Sequence, residues 1–218
     1  MQTKLKSVTV LVHGLWNGAW SMAPMAKRLR SRGHHVEVFN YPTREKSLEA
    51  HAGELHDFIT KISSEELHLV GHSMGGLIIL NLLSRFDDLA PGRVVLMGTP
   101  VNGSSIVKRL EKLPGQKFLF GKAMETLLDG FQYSPRSRET GMIRGTRPLG
   151  LGRITGRSSE TNDGSVTLSE TELEGLKDSL EMAVTHSQML VSAEVADQVE
   201  QFLMYGKFKK MDPGSSPG

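Results

Sequence analysis

The sequence has 218 residues, of which 38% are hydrophobic and 23% are charged, a composition typical of a single globular domain. Its 26 basic and 24 acidic residues leave a net charge of +2, which gives no indication of a surface for nucleic acid or anionic membranes. The absence of cysteine excludes disulfides, thiolate nucleophiles and cysteine-ligated zinc.

The apolar run nearest the start, VTVLV at 8–12, is shorter than the hydrophobic region of a secretory signal. No run approaches the roughly eighteen apolar residues that a membrane-spanning helix needs. We therefore expect a cytoplasmic protein without integral membrane association. One domain is expected over 1–206, followed by a polar, disordered tail over 207–218.

Strand and helix patterns alternate along the first hundred residues. Strands are predicted over 8–14, 35–41, 67–73 and 93–100, and helices over 19–33, 48–62 and 75–86. The strand VVLM at 94–97 is apolar on both faces, as expected when helices cover both sides of a parallel sheet. The sequence therefore predicts an α/β fold with a doubly wound, mostly parallel sheet.

This alternation breaks over 101–140, where Pro114 and Gly115 separate two short amphipathic stretches. We interpret the segment as an excursion of one or two short helices over the end of the sheet, and we expect no large cap domain. A strand follows at 141–148 and then a loop rich in glycine and polar residues. The remaining predicted elements are short strands at 166–173 and 179–184 and a helix at 193–206.

A serine lies between two glycines in the stretch Gly71-His72-Ser73-Met74-Gly75, which follows a predicted strand and precedes an apolar helix. Strand, Gly-x-Ser-x-Gly and helix together are the context of a nucleophile elbow. The glycines are expected where neighbouring segments approach too closely for a Cβ atom. Ser73 is therefore the candidate nucleophile, and the alternative is a tight turn with an inert serine.

A serine nucleophile needs a general base and a carboxylate that orients it, and in this kind of fold both follow the serine along the chain. His186 is the only histidine after Ser73, so it is the candidate base. Asp163 precedes Gly164 in a loop and is the candidate acid, although an Asp-Gly pair is also an ordinary turn. The other aspartates considered for this role are Asp87, Asp88, Asp129 and Asp178.

An oxyanion intermediate needs two backbone N–H donors. Met74 follows the nucleophile, and Leu15 follows His13-Gly14 at the end of the first strand, so these two residues are the candidate donors. Trp16 or Trp20 is a candidate wall of the acyl pocket, and the alternative is that either tryptophan packs in the core.

The motifs HGLW, GHSMGG, TPVNGS, NDGSV and VTHSQML together resemble the α/β-hydrolase superfamily, and within it small lipases and esterases. The resemblance covers most of the chain. It implies Ser73 as nucleophile, Asp163 as orienting acid, His186 as base, and the amides of Leu15 and Met74 as the oxyanion hole. It further implies action on a small-molecule or lipid carboxylic ester without a metal or cofactor.

The apolar residues of the 101–140 segment, including Phe118 and Phe120, exceed what a solvated loop needs. We expect this segment to form the acyl-binding wall or a lid for short or medium acyl chains, unless its helices only pack on the flank of the sheet. The same triad would serve a thioesterase, a lipid deacylase or an acyltransferase. A binding module that retains the pocket with little turnover is the alternative outside enzymes.

Overall fold

The computed structural model describes residues 5–111, 114–115, 120–131, 133–135, 137–149 and 160–210. Its centre is one six-stranded sheet in which every pair of neighbouring strands is parallel, in the order β2-β1-β3-β4-β5-β6. The strands are β1 (Leu5–Val12), β2 (Val36–Phe39), β3 (Ser64–His72), β4 (Val94–Met97), β5 (Thr140–Gly145) and β6 (Asp178–Met182). Among the described residues, no helix is long and apolar enough to cross a bilayer.

Helices cover both faces of the sheet. In the described parts of the chain they are α1 (Ala23–Ser31), α2 (Leu48–Ile59), α3 (Met74–Arg85), α4 (Ser105–Leu110), α5 (Ala123–Asp129) and α6 (Ala193–Tyr205). The helices α1 and α6 contribute Leu29 and Phe202 to one apolar core, and α2 and α3 contribute Leu55 and Leu77 to the other. Two cores on opposite faces of a parallel sheet confirm the predicted doubly wound α/β fold.

The excursion over 101–140 contains the helices α4 and α5. The amide of Ser104, next to α4, donates to the carbonyl of Leu127 in α5 at 2.7 Å, and the amide of Phe131 donates to the carbonyl of Val101 at 3.0 Å. Val107 and Leu127 are buried in the same core as α2 and α3. The described part of the chain contains this short helical excursion and no large cap, as predicted.

The predicted strand over 166–173 is wrong. This segment holds one antiparallel bridge, between Thr167 and Asn162, and a 3-10 turn at Ser169–Thr171. Its amides are bound by side chains, because Val166 donates to Asp163 Oδ1 and Thr167 donates to Glu170 Oε2. Local carboxylate acceptors of this kind compete with the backbone partners that a strand would need.

Two predicted boundaries also need correction. The helix predicted over 19–33 begins as a 3-10 turn, Ala19–Met22, and Pro24 lies in the first turn of α1, where its missing N–H costs nothing. The predicted disordered tail begins too early, because Phe208 is buried against Phe202 and its amide donates to Asp178 at 2.8 Å. Residues 211–218 lie outside the described residues.

Candidate active site

The candidate site lies at the carboxyl edge of the sheet, between β1 and β3. These strands are neighbours, but the chain leaves β1 for β2 on one side and leaves β3 for β4 on the other. In open parallel sheets, ligands bind in the crevice at such a switch point. The loop after β1, at residues 14–17, and the turn after β3, at Ser73, are therefore brought together by topology.

Ser73 lies between the last residue of β3 and the first residue of α3, with φ +54° and ψ −124°. A positive φ is rare for a residue with a side chain and signals strain held by the surroundings. The amide of Ser73 donates to the carbonyl of Met97 in β4 at 2.9 Å, and this bond ties the turn to the sheet. The Ser73 side chain faces a cavity at the end of the sheet.

The glycines around Ser73 are required by close approaches of backbone to backbone. A Cβ atom at Gly75 would lie 2.3 Å from the carbonyl oxygen of Val12 in β1. A Cβ atom at Gly71 would lie 2.7 Å from the Cα atom of Gly76. Real Cβ atoms do not approach other heavy atoms so closely. Only glycine therefore fits at these two positions, where the turn packs against β1 and α3.

Replacing Gly75 with alanine is therefore expected to destabilise the fold by about 2 kcal/mol or more, because the carbonyl of a central strand would have to move. The matched control is Gly53→Ala in α2, where a Cβ atom would meet nothing within 4 Å. That change is expected to stabilise the protein by about 0.5–1 kcal/mol. Urea denaturation of both variants measures the difference, and equal stabilities would contradict the steric account.

Asp163 and His186 form a hydrogen-bonded pair beside this turn. Nδ1 of His186 lies 2.7 Å from Oδ2 of Asp163, and the amide of His186 donates to the Asp163 carbonyl at 2.8 Å. Oδ1 of Asp163 accepts from the amides of Ser165 and Val166 at 2.9 and 2.7 Å. The carboxylate is 1% exposed, so its orientation is set by these donors and not by water.

The other aspartates considered from the sequence lie elsewhere. Asp129 is the last residue of α5, and Asp178 begins β6 at the opposite end of that strand from the site. The carboxylate of Asp178 accepts from the amides of Ser179 and Phe208. Asp87 and Asp88 follow α3, at the end remote from Ser73.

Gly98 is a further residue of the candidate site, one that the sequence motifs did not identify. It follows β4 with φ +54°, and a Cβ atom there would lie 3.0 Å from both Oδ2 of Asp163 and Nδ1 of His186. A side chain at position 98 would therefore crowd the hydrogen bond between Asp163 and His186. The sequence feature that could have identified Gly98 is a glycine directly after a buried strand. Gly14 occupies the same position after β1.

The loop after β1 has fixed carbonyl directions. The amide of Asn17 donates to the Gly14 carbonyl, and the Asn17 side chain donates to the Leu15 carbonyl, both at 3.3 Å. The amide of Trp16 donates to the hydroxyl of Thr43 at 3.3 Å, and Trp16 has φ +58°.

Because Met74 is the first residue of α3, its amide has no acceptor within the helix.

A cavity of about 320 Å³ opens at this edge of the sheet, within the range typical of small-molecule sites. Its lining consists of Leu15, Trp16, Asn17, His72, Ser73, Pro100, Ser104, Ile106, Val107, Phe120, Leu127, Leu149, Ser165, Val166, His186 and Ser187. Of the predicted pocket residues, Trp16 and Phe120 lie here with ring centroids 5.2 Å apart, and Phe118 lies outside the described residues. Trp20 is 73% exposed and lines a surface cleft on α1, so of the two tryptophans considered for the pocket wall Trp16 lies in the cavity and Trp20 does not.

The chain is similar to several known hydrolases. A carbendazim hydrolyzing esterase from Nocardioides sp. (strain SG-4G) is 33% identical over 116 residues, 47% of either chain. The probable esterase PIR7A of Oryza sativa is 35% identical over 97 residues, which cover 40% of this chain and 37% of the esterase. The matches thus span about half the length of these relatives or less.

Solved structures extend the likeness in fold. Mature lipase BlEst2 of Bacillus licheniformis superposes with a TM-score of 0.73 at 16% identity, covering 94% of this chain and 95% of the lipase. The metagenomic carboxyl esterase MGS0156 superposes with a TM-score of 0.68 at 17% identity, over 84% of this chain and 65% of that one. A family model described as the alpha/beta hydrolase family matches residues 9–190. The chain therefore belongs to the alpha/beta hydrolase family.

Proposed function

We propose that this protein is a serine hydrolase that cleaves carboxylic esters through Ser73, His186 and Asp163. The observation that carries the proposal is the hydrogen bond between the buried Asp163 and His186, whose side chain lines the same cavity as a serine held at φ +54°. This arrangement combines a nucleophile, a base and the group that orients the base. Family membership and the esterase names of the relatives support the class of reaction.

In the proposed reaction, the hydroxyl oxygen of Ser73 attacks the ester carbonyl carbon, and Nε2 of His186 takes the hydroxyl proton. Asp163 accepts from Nδ1–H, which leaves the Nε2 lone pair free to act as base, and it stabilises the imidazolium that forms. Collapse of the tetrahedral intermediate transfers the proton to the departing alcohol and leaves an acyl-serine. Water then repeats the sequence and releases the acid.

The oxyanion of each intermediate is assigned to the amides of Leu15 and Met74. Asn17 donates to the carbonyls of Gly14 and Leu15, and the hydroxyl of Thr43 accepts from the Trp16 amide. These hydrogen bonds fix the backbone of the loop after β1 on both sides of the Leu15 amide. The Met74 amide at the start of α3 also adds the positive end of a helix dipole. Two donors in a preorganised frame are what an oxyanion hole requires.

The apolar wall of the cavity is assigned to the acyl group of the substrate. Ile106 and Val107 from α4, Phe120, and Leu127 from α5 line one side of the cavity. The core next to α3 also contains Val107, Phe120 and Leu127. The excursion therefore both packs against the core and forms the wall of the cavity. A cavity of about 320 Å³ suits short or medium acyl chains.

A bulkier residue on this wall should shorten the acyl chain that the site accepts. Ile106→Phe is expected to lower kcat/KM for an octanoate ester relative to a butyrate ester by about tenfold, because one or two lost methylene contacts account for a change of this size. The control is Leu110→Phe on the same helix, which packs against the core without lining the cavity. An unchanged butyrate-to-octanoate ratio in Ile106→Phe would place the acyl group elsewhere.

The proposal is tested by labelling the protein with a fluorophosphonate and by measuring turnover of matched ester, thioester and amide substrates. Stoichiometric labelling at Ser73 and preferred turnover of esters are the expected results. Preferred thioester cleavage, or acyl transfer to an added alcohol, would point to the thioesterase or acyltransferase alternatives. Absence of labelling would favour a binding module and contradict the proposal.

A further inference from the structure

His72, the residue before Ser73, contacts the His186 loop across the sheet edge. Its Nε2 atom lies 3.0 Å from the carbonyl oxygen of His186, and the two imidazole rings are 4.5 Å apart between centroids. The side chain is 2% exposed. One residue of the elbow thus holds the backbone of the candidate base, while the next residue is the candidate nucleophile.

The hydrogen bond defines the tautomer of His72. A carbonyl oxygen can only accept, so Nε2 carries the proton and Nδ1 has only a lone pair in the neutral ring. Nδ1 is buried without a hydrogen-bond partner among the described residues, and it faces Gly14, where a Cβ atom would lie 3.1 Å away. Within the described parts of the chain, Nδ1 therefore has no acceptor for a second ring proton.

The surroundings also keep this ring neutral. Burial, followed by the nearby His186, lowers the pKa of His72 to about 3. The other titratable groups that act on it are Asp163, which favours its charged form, and His13, which opposes it. At neutral pH His72 is therefore an uncharged N–H donor beside a ring that becomes an imidazolium in the proposed reaction.

We propose that His72 is a positioning residue, which fixes the backbone of His186 through a neutral Nε2–H donor and adds no second positive charge next to the imidazolium. The inference rests on the proposed function. The Asp163 pair orients the ring of His186 at Nδ1, and His72 holds the same residue at its carbonyl. Both contacts are needed to direct Nε2 of His186 towards Ser73, because rate depends steeply on such alignment.

The test compares two substitutions of His72. In His72→Gln the side-chain amide can still donate to the His186 carbonyl, and most of the activity should remain. His72→Leu has similar bulk and no donor. It is expected to lower kcat on an ester by on the order of 10²-fold with little change in KM, because substrate contacts persist while the base is misplaced.

Rescue by the conservative variant separates positioning from general damage. The kcat lost in His72→Leu should be recovered in His72→Gln, because the glutamine amide restores a donor to the His186 carbonyl. The control is His68→Leu, which removes another buried histidine from β3, one that accepts from the Arg93 amide and has no contact with His186. Wild-type kcat in His72→Leu, or an equal loss of kcat in His72→Gln, would overturn the inference.

Nitrogen NMR of the histidine rings in the full chain tests the same inference without turnover. The expected result for His72 is a neutral ring protonated at Nε2 from pH 8 down to pH values well below 6.5, and a His186 Nδ1–H signal that shifts in His72→Leu. A His72 that titrates near 6.5, or a His186 signal unaffected by the substitution, would overturn the positioning role. Failure of ester turnover in the wild-type chain with these signals intact would contradict the proposed function instead.

Discussion

Ser73→Ala is expected to lower kcat on a simple ester by about 10⁵- to 10⁶-fold, the scale seen when a serine hydrolase loses its nucleophile. The residual rate would come from substrate binding and the oxyanion donors alone. Stability should change little, since alanine must adopt the same φ of +54° that serine already holds. Steady-state kinetics and urea denaturation of the same preparation measure the two effects.

The matched control for this variant is Ser165→Ala. Ser165 lines the same cavity, but its contribution to Asp163 is made by the backbone amide, which alanine retains. It should keep near wild-type activity and full labelling by a fluorophosphonate. His186→Ala should cost about as much as Ser73→Ala, because a nucleophile and its base act as a unit. A Ser73→Ala protein that kept a tenth of the activity would refute the proposed role of this serine.

Asp163→Asn is expected to reduce kcat by roughly 10⁴-fold, because the amide stabilises the wrong tautomer of His186. Oδ1 of Asp163 already accepts from the amides of Ser165 and Val166, so the oxygen of the new amide should take that place. Its NH₂ group would then face Nδ1 of His186 and donate to it. The proton of the ring would move to Nε2, where the base needs a lone pair.

The controls for Asp163→Asn are the same change at Asp129 and at Asp178. Asp129 ends α5, and Asp178 caps amides at the start of β6, so neither substitution should change kcat. Asp178→Asn can lower stability through the Phe208 contact without altering turnover. A large loss of rate at Asp178 with little at Asp163 would assign the orienting role to Asp178.

Much of the candidate site could be predicted from the sequence because its requirements are local. Ser73 is adjacent in sequence to the strand before it, to the glycines on either side and to the apolar helix after it. Backbone geometry therefore links these features directly. His186 was the candidate base from chain order, since seven histidines precede the serine and one follows it. The parallel sheet followed from strands that are apolar on both faces and alternate with helices.

Several features depended on contacts between residues far apart in the chain. The segment over 166–173 has the composition of a strand, but Asp163 and Glu170 bind its amides, and that competition follows from the folded loop. Trp16 and Trp20 look alike in sequence, yet the loop after β1 directs one into the cavity and leaves the other 73% exposed.

The fold class, the elbow and the residue types needed for the proposed chemistry follow from local sequence, because the hydrophobic period and the turn geometry are encoded over a few neighbouring residues. Three other features arise from packing between distant segments: which aspartate meets His186, the position of Gly98 beside their hydrogen bond, and the donation from His72 to the His186 carbonyl. Residues 72 and 186 are 114 positions apart, and their contact exists only because parallel strands end at one edge of the sheet.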